Sequence, residues 1–106
     1  MVDHYSITLD GTAQQVSDVI PAADREQLDV PALSVQFEIQ DDDTNAAYVG
    51  GDDTVSATDY GTRIPPIAAG EPLAVPRIFQ GVKLRLREFW IIGTAADVVH
   101  ILVVRA

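Results

Sequence analysis

Apolar and polar residues alternate with a period of two along much of the chain. In the stretch LSVQFEIQ, Leu33, Val35, Phe37 and Ile39 fall on one side of the pleat and Ser34, Gln36, Glu38 and Gln40 on the other. Side chains of a strand point alternately to its two faces, so this spacing predicts a half-buried strand. HYSITLD repeats the pattern with Tyr5, Ile7 and Leu9 against Ser6 and Thr8, and GVKLRLREF repeats it with Val82, Leu84 and Leu86 against Lys83, Arg85 and Arg87. EFWIIG and VVHILVV are more continuously apolar, β-branched and aromatic, which predicts central strands covered on both faces. Only QQVSDVIPAADREQLD offers a helix: Ala22, Ala23 and the Asp24-Arg25-Glu26 cluster after Pro21 predict one or two turns.

Turn signals separate these runs: LDGT, QDDDTN, GGDD, DYGT, IPPI, AAGEP and GTAAD. Pro65 and Pro66 cannot sit inside a central strand, because proline donates no ladder hydrogen bond. Short strands at this spacing predict an all-β fold: a small β-sandwich or barrel-like, jelly-roll-like single domain over residues 1–106, with at most one short helix. A chain of 106 residues supports one core.

Composition narrows the function classes. Without cysteine there is no disulfide framework, no thiolate nucleophile and no cysteine-based zinc site. MVDHYSITLDG lacks the basic and apolar regions of a signal peptide. The apolar stretch FWIIGTAADVVHILVV is interrupted by Asp97 and His100 and is too short to cross about 30 Å of bilayer as a helix. A soluble protein with no membrane partner is expected. The net charge of −9 repels a phosphate backbone, which argues against nucleic acid as partner. That charge is uneven: residues 1–60 hold 13 acids and one base, whereas residues 61–106 hold three acids and six bases. Either the two halves face each other inside one domain, the commoner case, or an acidic face of one copy meets a basic face of another.

Four features are candidates for chemistry. Asp41, Asp43 and Asn45, with Asp52 in twelfth position, have the spacing that opens a calcium loop. Ala46 stands where such a loop needs glycine, however, and a strand starting near it would carry Asp52 away from Asn45. A turn in which the acids accept local backbone hydrogen bonds is the favoured reading, with no metal or other cofactor. The histidines, His4 near the N-terminus and His100 at a polar-facing edge or rim position, form no metal pair and accompany no nucleophile elbow. Lys83, Arg85 and Arg87 would line one face of a strand, either as a solvated edge or as a docking face for an acidic surface such as Asp41, Asp42 and Asp43 of a second copy. Tyr48, Tyr60, Phe79, Phe89 and Trp90 could line a sugar-binding groove. Phe89 and Trp90 are adjacent, so one ring is expected in the core and the other at a surface or interface. In NAAYVGG, Gly50 and Gly51 suggest a turn geometry that residues with a Cβ resist.

Asn45, Tyr48–Gly51, Val55–Thr58, Gly61, Ala69–Glu71 and Ile92–Val99 together form a pattern that resembles small β-rich structural proteins of tailed-bacteriophage virions. The proline usual after Asn-Ala-Ala is absent, and RIPPI is longer than the corresponding loop. The resemblance implies a non-enzymatic virion protein: first a capsid decoration (cement) protein that binds and stabilises the head shell, alternatively a head–tail or tail component. It implies self-association, with a trimer as the preferred state, and contact with the major capsid protein or another virion protein. Residues 82–90, with Trp90, Arg85 and Arg87 prominent, would make those contacts. A reading from another class is a small carbohydrate-binding module using the surface aromatics. An enzyme with paired carboxylates is a third, weaker one.

Overall fold

The structure, a computed structural model, describes residues 2–19, 32–40, 45–66 and 76–105. Among them are eight strands: β1 (Val2–Thr8), β2 (Gln14–Gln15), β3 (Ala32–Ile39), β4 (Ala47–Gly50), β5 (Thr62–Ile64), β6 (Arg77–Leu84), β7 (Trp90–Ile92) and β8 (Val98–Arg105). Two 3-10 turns, Val16–Val19 and Leu86–Glu88, are the helical elements described. The helix expected after Pro21 lies outside the described residues, as does the Asp41-Asp42-Asp43 run.

The strands pair as a nested ribbon. β4 pairs with β5, β3 with β6, β2 with β7 and β1 with β8, all antiparallel. Rolling the ribbon adds β3 to β8 and β4 to β7. The result is one four-stranded sheet in the order β1-β8-β3-β6 and a second in the order β2-β7-β4-β5. This double-sheet order is that of a jelly roll, so the expected all-β sandwich is the fold observed. It also places the two halves of the chain against each other strand by strand, within one domain. Asp3 on β1 and Arg105 on β8 form an ion pair across that boundary.

The ribbon changes sheets at corners where both of its chains turn together. At one corner the Leu9 N–H donates to the Asp97 carbonyl and the Ala96 N–H to the Leu9 carbonyl, each at 2.8 Å. At the next, the Val16 N–H donates to the Phe89 carbonyl at 2.9 Å, and Gln15 Nε2 donates to the Arg87 carbonyl at 2.7 Å. The two 3-10 turns sit at this second corner, where a flat pleat cannot pass from one sheet to the other.

The core fills the space between the sheets. Ile7, Val35, Phe37, Ile39, Ile64, Ile91 and Val99 are fully buried, and Tyr5, Phe79, Leu84 and Phe89 pack against them from the rim. Period-two alternation located most of this face. It misplaced Leu33, because a bulge between Ala32 and Ser34 shifts the register of β3; Ala32 turns inward and Leu33 is exposed. VVHILVV is a central strand, but its outer face is open, with His100 and Leu102 exposed. His100 therefore sits mid-sheet rather than at an edge, and His4 lies within β1.

Candidate functional site

The row of cations expected on one strand does not form. β6 ends at Leu84, so Lys83 belongs to the strand, Arg85 to the link after it and Arg87 to the 3-10 turn. The alternation of GVKLRLREF still buries Leu86, but on a corner rather than a pleat, because the ribbon leaves the first sheet there. Trp90 opens β7 on the outward side of the second sheet, half-buried beside Gly50 and Gln15. Its neighbour Phe89 turns inward, so the expected division of the two rings is the one observed. Phe79 and Phe89 pack with Phe37, at ring separations of 5.3–5.8 Å, and belong to the core rim rather than to an outer aromatic face.

The outer face of the β1-β8-β3-β6 sheet is wide and, among the described residues, carries little charge. Register sets its cross-strand rows: Val2, Val104, Ser34 and Gln80; then His4, Leu102, Gln36 and Ile78; then Ser6, His100 and Glu38; then Thr8 and Val98. Glu38 is the one acid or base in these rows apart from the two histidines, in a chain that is 22% charged. Val2, Ile78 and Leu102 are exposed at 61%, 55% and 38%. Ser6 Oγ and His100 Nδ1 are hydrogen-bonded at 3.0 Å, which ties β1 to β8 on this face. Alternation signalled both faces of these strands, but only the register shows that their outward residues assemble into one surface.

The outer face of the second sheet is partly covered by residues 51–61. Val55 is buried yet stands apart from the main core cluster, because it packs over Gly50. A Cβ on Gly50 would lie 2.8 Å from both Val55 Cβ and Cγ2. Gly50 is thus required by close approach, not by backbone conformation: of the described glycines only Gly11 has a positive φ. At Gly51 a Cβ would meet nothing within 4 Å. Gly50→Ala is expected to destabilise by about 1–3 kcal/mol through overpacking, whereas Gly51→Ala should stay within about 0.5 kcal/mol of the parent. Urea unfolding of both variants checks this, and equal effects would refute the packing account.

Asp52 of this loop is held in a local turn. The Asp52 carboxylate accepts from the Thr54 N–H at 2.9 Å and from its hydroxyl at 2.5 Å. Asp10 does the same with Thr12, at 2.8 and 2.6 Å. In each case the threonine hydroxyl, then the backbone N–H, stabilises the charged carboxylate and lowers its pKa below the ordinary value. The recurring D-x-T spacing was the sequence signal for this pairing. A folded-state pKa below the unfolded one means that these turns contribute stability above the ordinary carboxylate range and lose it as pH falls through the folded value. Thr54→Val should raise the Asp52 pKa toward the ordinary value in a carboxyl NMR titration; an unmoved pKa would remove the hydroxyl as the main cause. β4 separates Asn45 from Asp52, as the spacing suggested, and among the described residues no group of three histidine or acidic side chains is placed to hold a metal.

Beside the loop a cavity of about 350 Å³ opens at the start of β4 and the end of β7, lined by Asn45, Ala46, Tyr48, Ala57, Ile92, Gly93, Thr94 and Gly11. Tyr48 and Ile92 are register partners with outward-facing side chains. Among the described residues, Asn45, Tyr48–Gly51, Val55–Thr58 and the 92–97 segment thus lie near one another, in β4, the loop packed on it, and the β7–β8 turn. No family model matches the chain, and no curated protein matches it.

Proposed function

We propose that the chain is a non-catalytic structural protein of a tailed-bacteriophage virion, acting as a capsid decoration protein that binds and stabilises the head shell. The observation that carries this reading is the outer face of the β1-β8-β3-β6 sheet. A docking surface between proteins is depleted of charge at its centre and holds exposed apolar groups within a polar frame. On a protein of net charge −9 this face presents Val2, Ile78 and Leu102 among serine, glutamine and histidine, with Glu38 the one acid among its described residues. The resemblance of the Asn45–Val99 pattern to virion proteins supplies the partner class, and the double-sheet jelly roll is an architecture used in viral capsid domains. Fold alone assigns no role, so the reading rests on the face and the pattern together.

Mass spectrometry of purified virions from a phage that encodes the chain tests the reading. The expected result is the protein in the head fraction at a fixed ratio to the major capsid protein, with Leu102→Glu folded but lost from heads. Its absence from virions would overturn the proposal. Its presence only in tail fractions would move it to the head–tail or tail role.

A further inference from the structure

We infer that the cavity beside Tyr48 is a binding site for a neutral saccharide, with one pyranose ring against the tyrosine. At about 350 Å³ it lies at the lower end of the range for ligand pockets, which suits one or two sugar rings. Among the described residues its lining holds no acid and no base, so a charged ligand would give up solvation there without a counter-charge, whereas a neutral one would not. Of its lining residues, Ala46 and Ala57 carry side chains of a single methyl group and Gly11 and Gly93 carry none.

The walls match the two-sided chemistry of a pyranose, which has an apolar C–H face and a rim of hydroxyls. Tyr48 and Ile92 supply an apolar wall. Tyr60 packs on Tyr48 with ring centroids 4.8 Å apart and planes tilted by 47°. Tyr60 does not line the cavity; it lines the neighbouring cleft with Gly50, Asp52 and Asp59. It packs against Tyr48 from the neighbouring cleft and restricts the ring before any ligand arrives, which reduces the ordering cost of binding. At the rim, the Asn45 amide offers donors and an acceptor, and the Thr94 hydroxyl offers both. Among the described residues neither side chain is committed to a hydrogen bond. This inference does not depend on the virion reading, since a saccharide could be bound by a decoration protein or by a protein with no place in a virion.

Amide NMR titration of the full chain with the methyl glycosides of glucose, galactose, mannose and N-acetylglucosamine tests the site, with methyl glucuronide as the charged control. At least one neutral glycoside should give saturable shifts confined to residues 45–48, 57 and 92–94. The control should give none. Asn45→Ala, at an exposed position, should keep the fold and weaken binding about tenfold, as expected when a ligand hydroxyl loses its partner. Tyr60→Ala should weaken it less, by releasing the Tyr48 ring. The inference is overturned if the folded protein shows no saturable shift with any neutral glycoside, if the shifts lie elsewhere, if the glucuronide binds equally well, or if Asn45→Ala binds as the parent does.

Discussion

Phe37→Ala should remove about 3–5 kcal/mol of stability, a large share of the roughly 5–15 kcal/mol available to a domain of this size. Phe37 is completely buried on β3. Its ring meets Phe79 of β6 edge-to-face at 5.8 Å and Phe89, ahead of β7, at 5.7 Å, while Phe79 and Phe89 meet each other at 5.3 Å. Truncation thus opens a cavity and also strips two aromatic contacts, each contributing about 0.5–1.5 kcal/mol beyond burial. The three rings bridge the two sheets where the ribbon crosses between them, so neighbouring strands cannot easily collapse into the gap. Phe37→Leu keeps most of the volume and should cost less than half as much. Urea unfolding measures both, and a loss below about 1 kcal/mol for alanine would show that the site relaxes freely.

Asp3→Ala is expected to have the second largest effect, about 2–4 kcal/mol. The Arg105 side chain is 7% exposed and that of Asp3 is 25% exposed. The arginine side chain is therefore the more deeply buried partner, although the paired Asp3 Oδ2 is buried as well. Removing the carboxylate takes a charged partner from a buried guanidinium, whereas Arg105→Met leaves an acid whose paired Oδ2 is buried but whose side chain is partly exposed, and should cost less. The double variant Asp3→Ala with Arg105→Met should return close to the parent, because an apolar pair of similar volume replaces the ion pair. Thermal melts of the three variants decide the matter: equal losses for the two single changes would contradict the assigned asymmetry.

The strands were legible wherever one face is buried and the other wet, because burial imposes the period of two. Tyr5, Ile7 and Leu9, and Val35, Phe37 and Ile39, were placed correctly on that ground. The same signal failed at Leu33 and at Arg85 to Arg87, where a bulge and a sheet crossing break the pleat without leaving a mark in the hydrophobic pattern. VVHILVV looked doubly covered since Leu102 and Val104 are apolar; they face outward in a surface that only the pairing of β1, β8, β3 and β6 assembles. Gly50 was recognised as constrained, but for the wrong cause, as the approach of Val55 is a contact between strand and loop that no local pattern encodes. The cavity beside Tyr48 draws on Gly11, Asn45, Ala57 and Thr94, which are scattered along the chain, so no spacing could have announced it.

The nested pairing also has a kinetic meaning. The innermost pair, β4 with β5, closes a short loop, whereas β1 and β8 come from opposite ends of the strand order. Closing long loops is entropically costly before contacts repay it. β8 is also the middle strand between β1 and β3. During synthesis β3 can pair with β6, but β1 cannot be joined to them until β8, the strand between β1 and β3, has emerged. Folding should be slow, with the unpaired strand edges sheltered only once β8 has emerged and the ribbon has rolled shut.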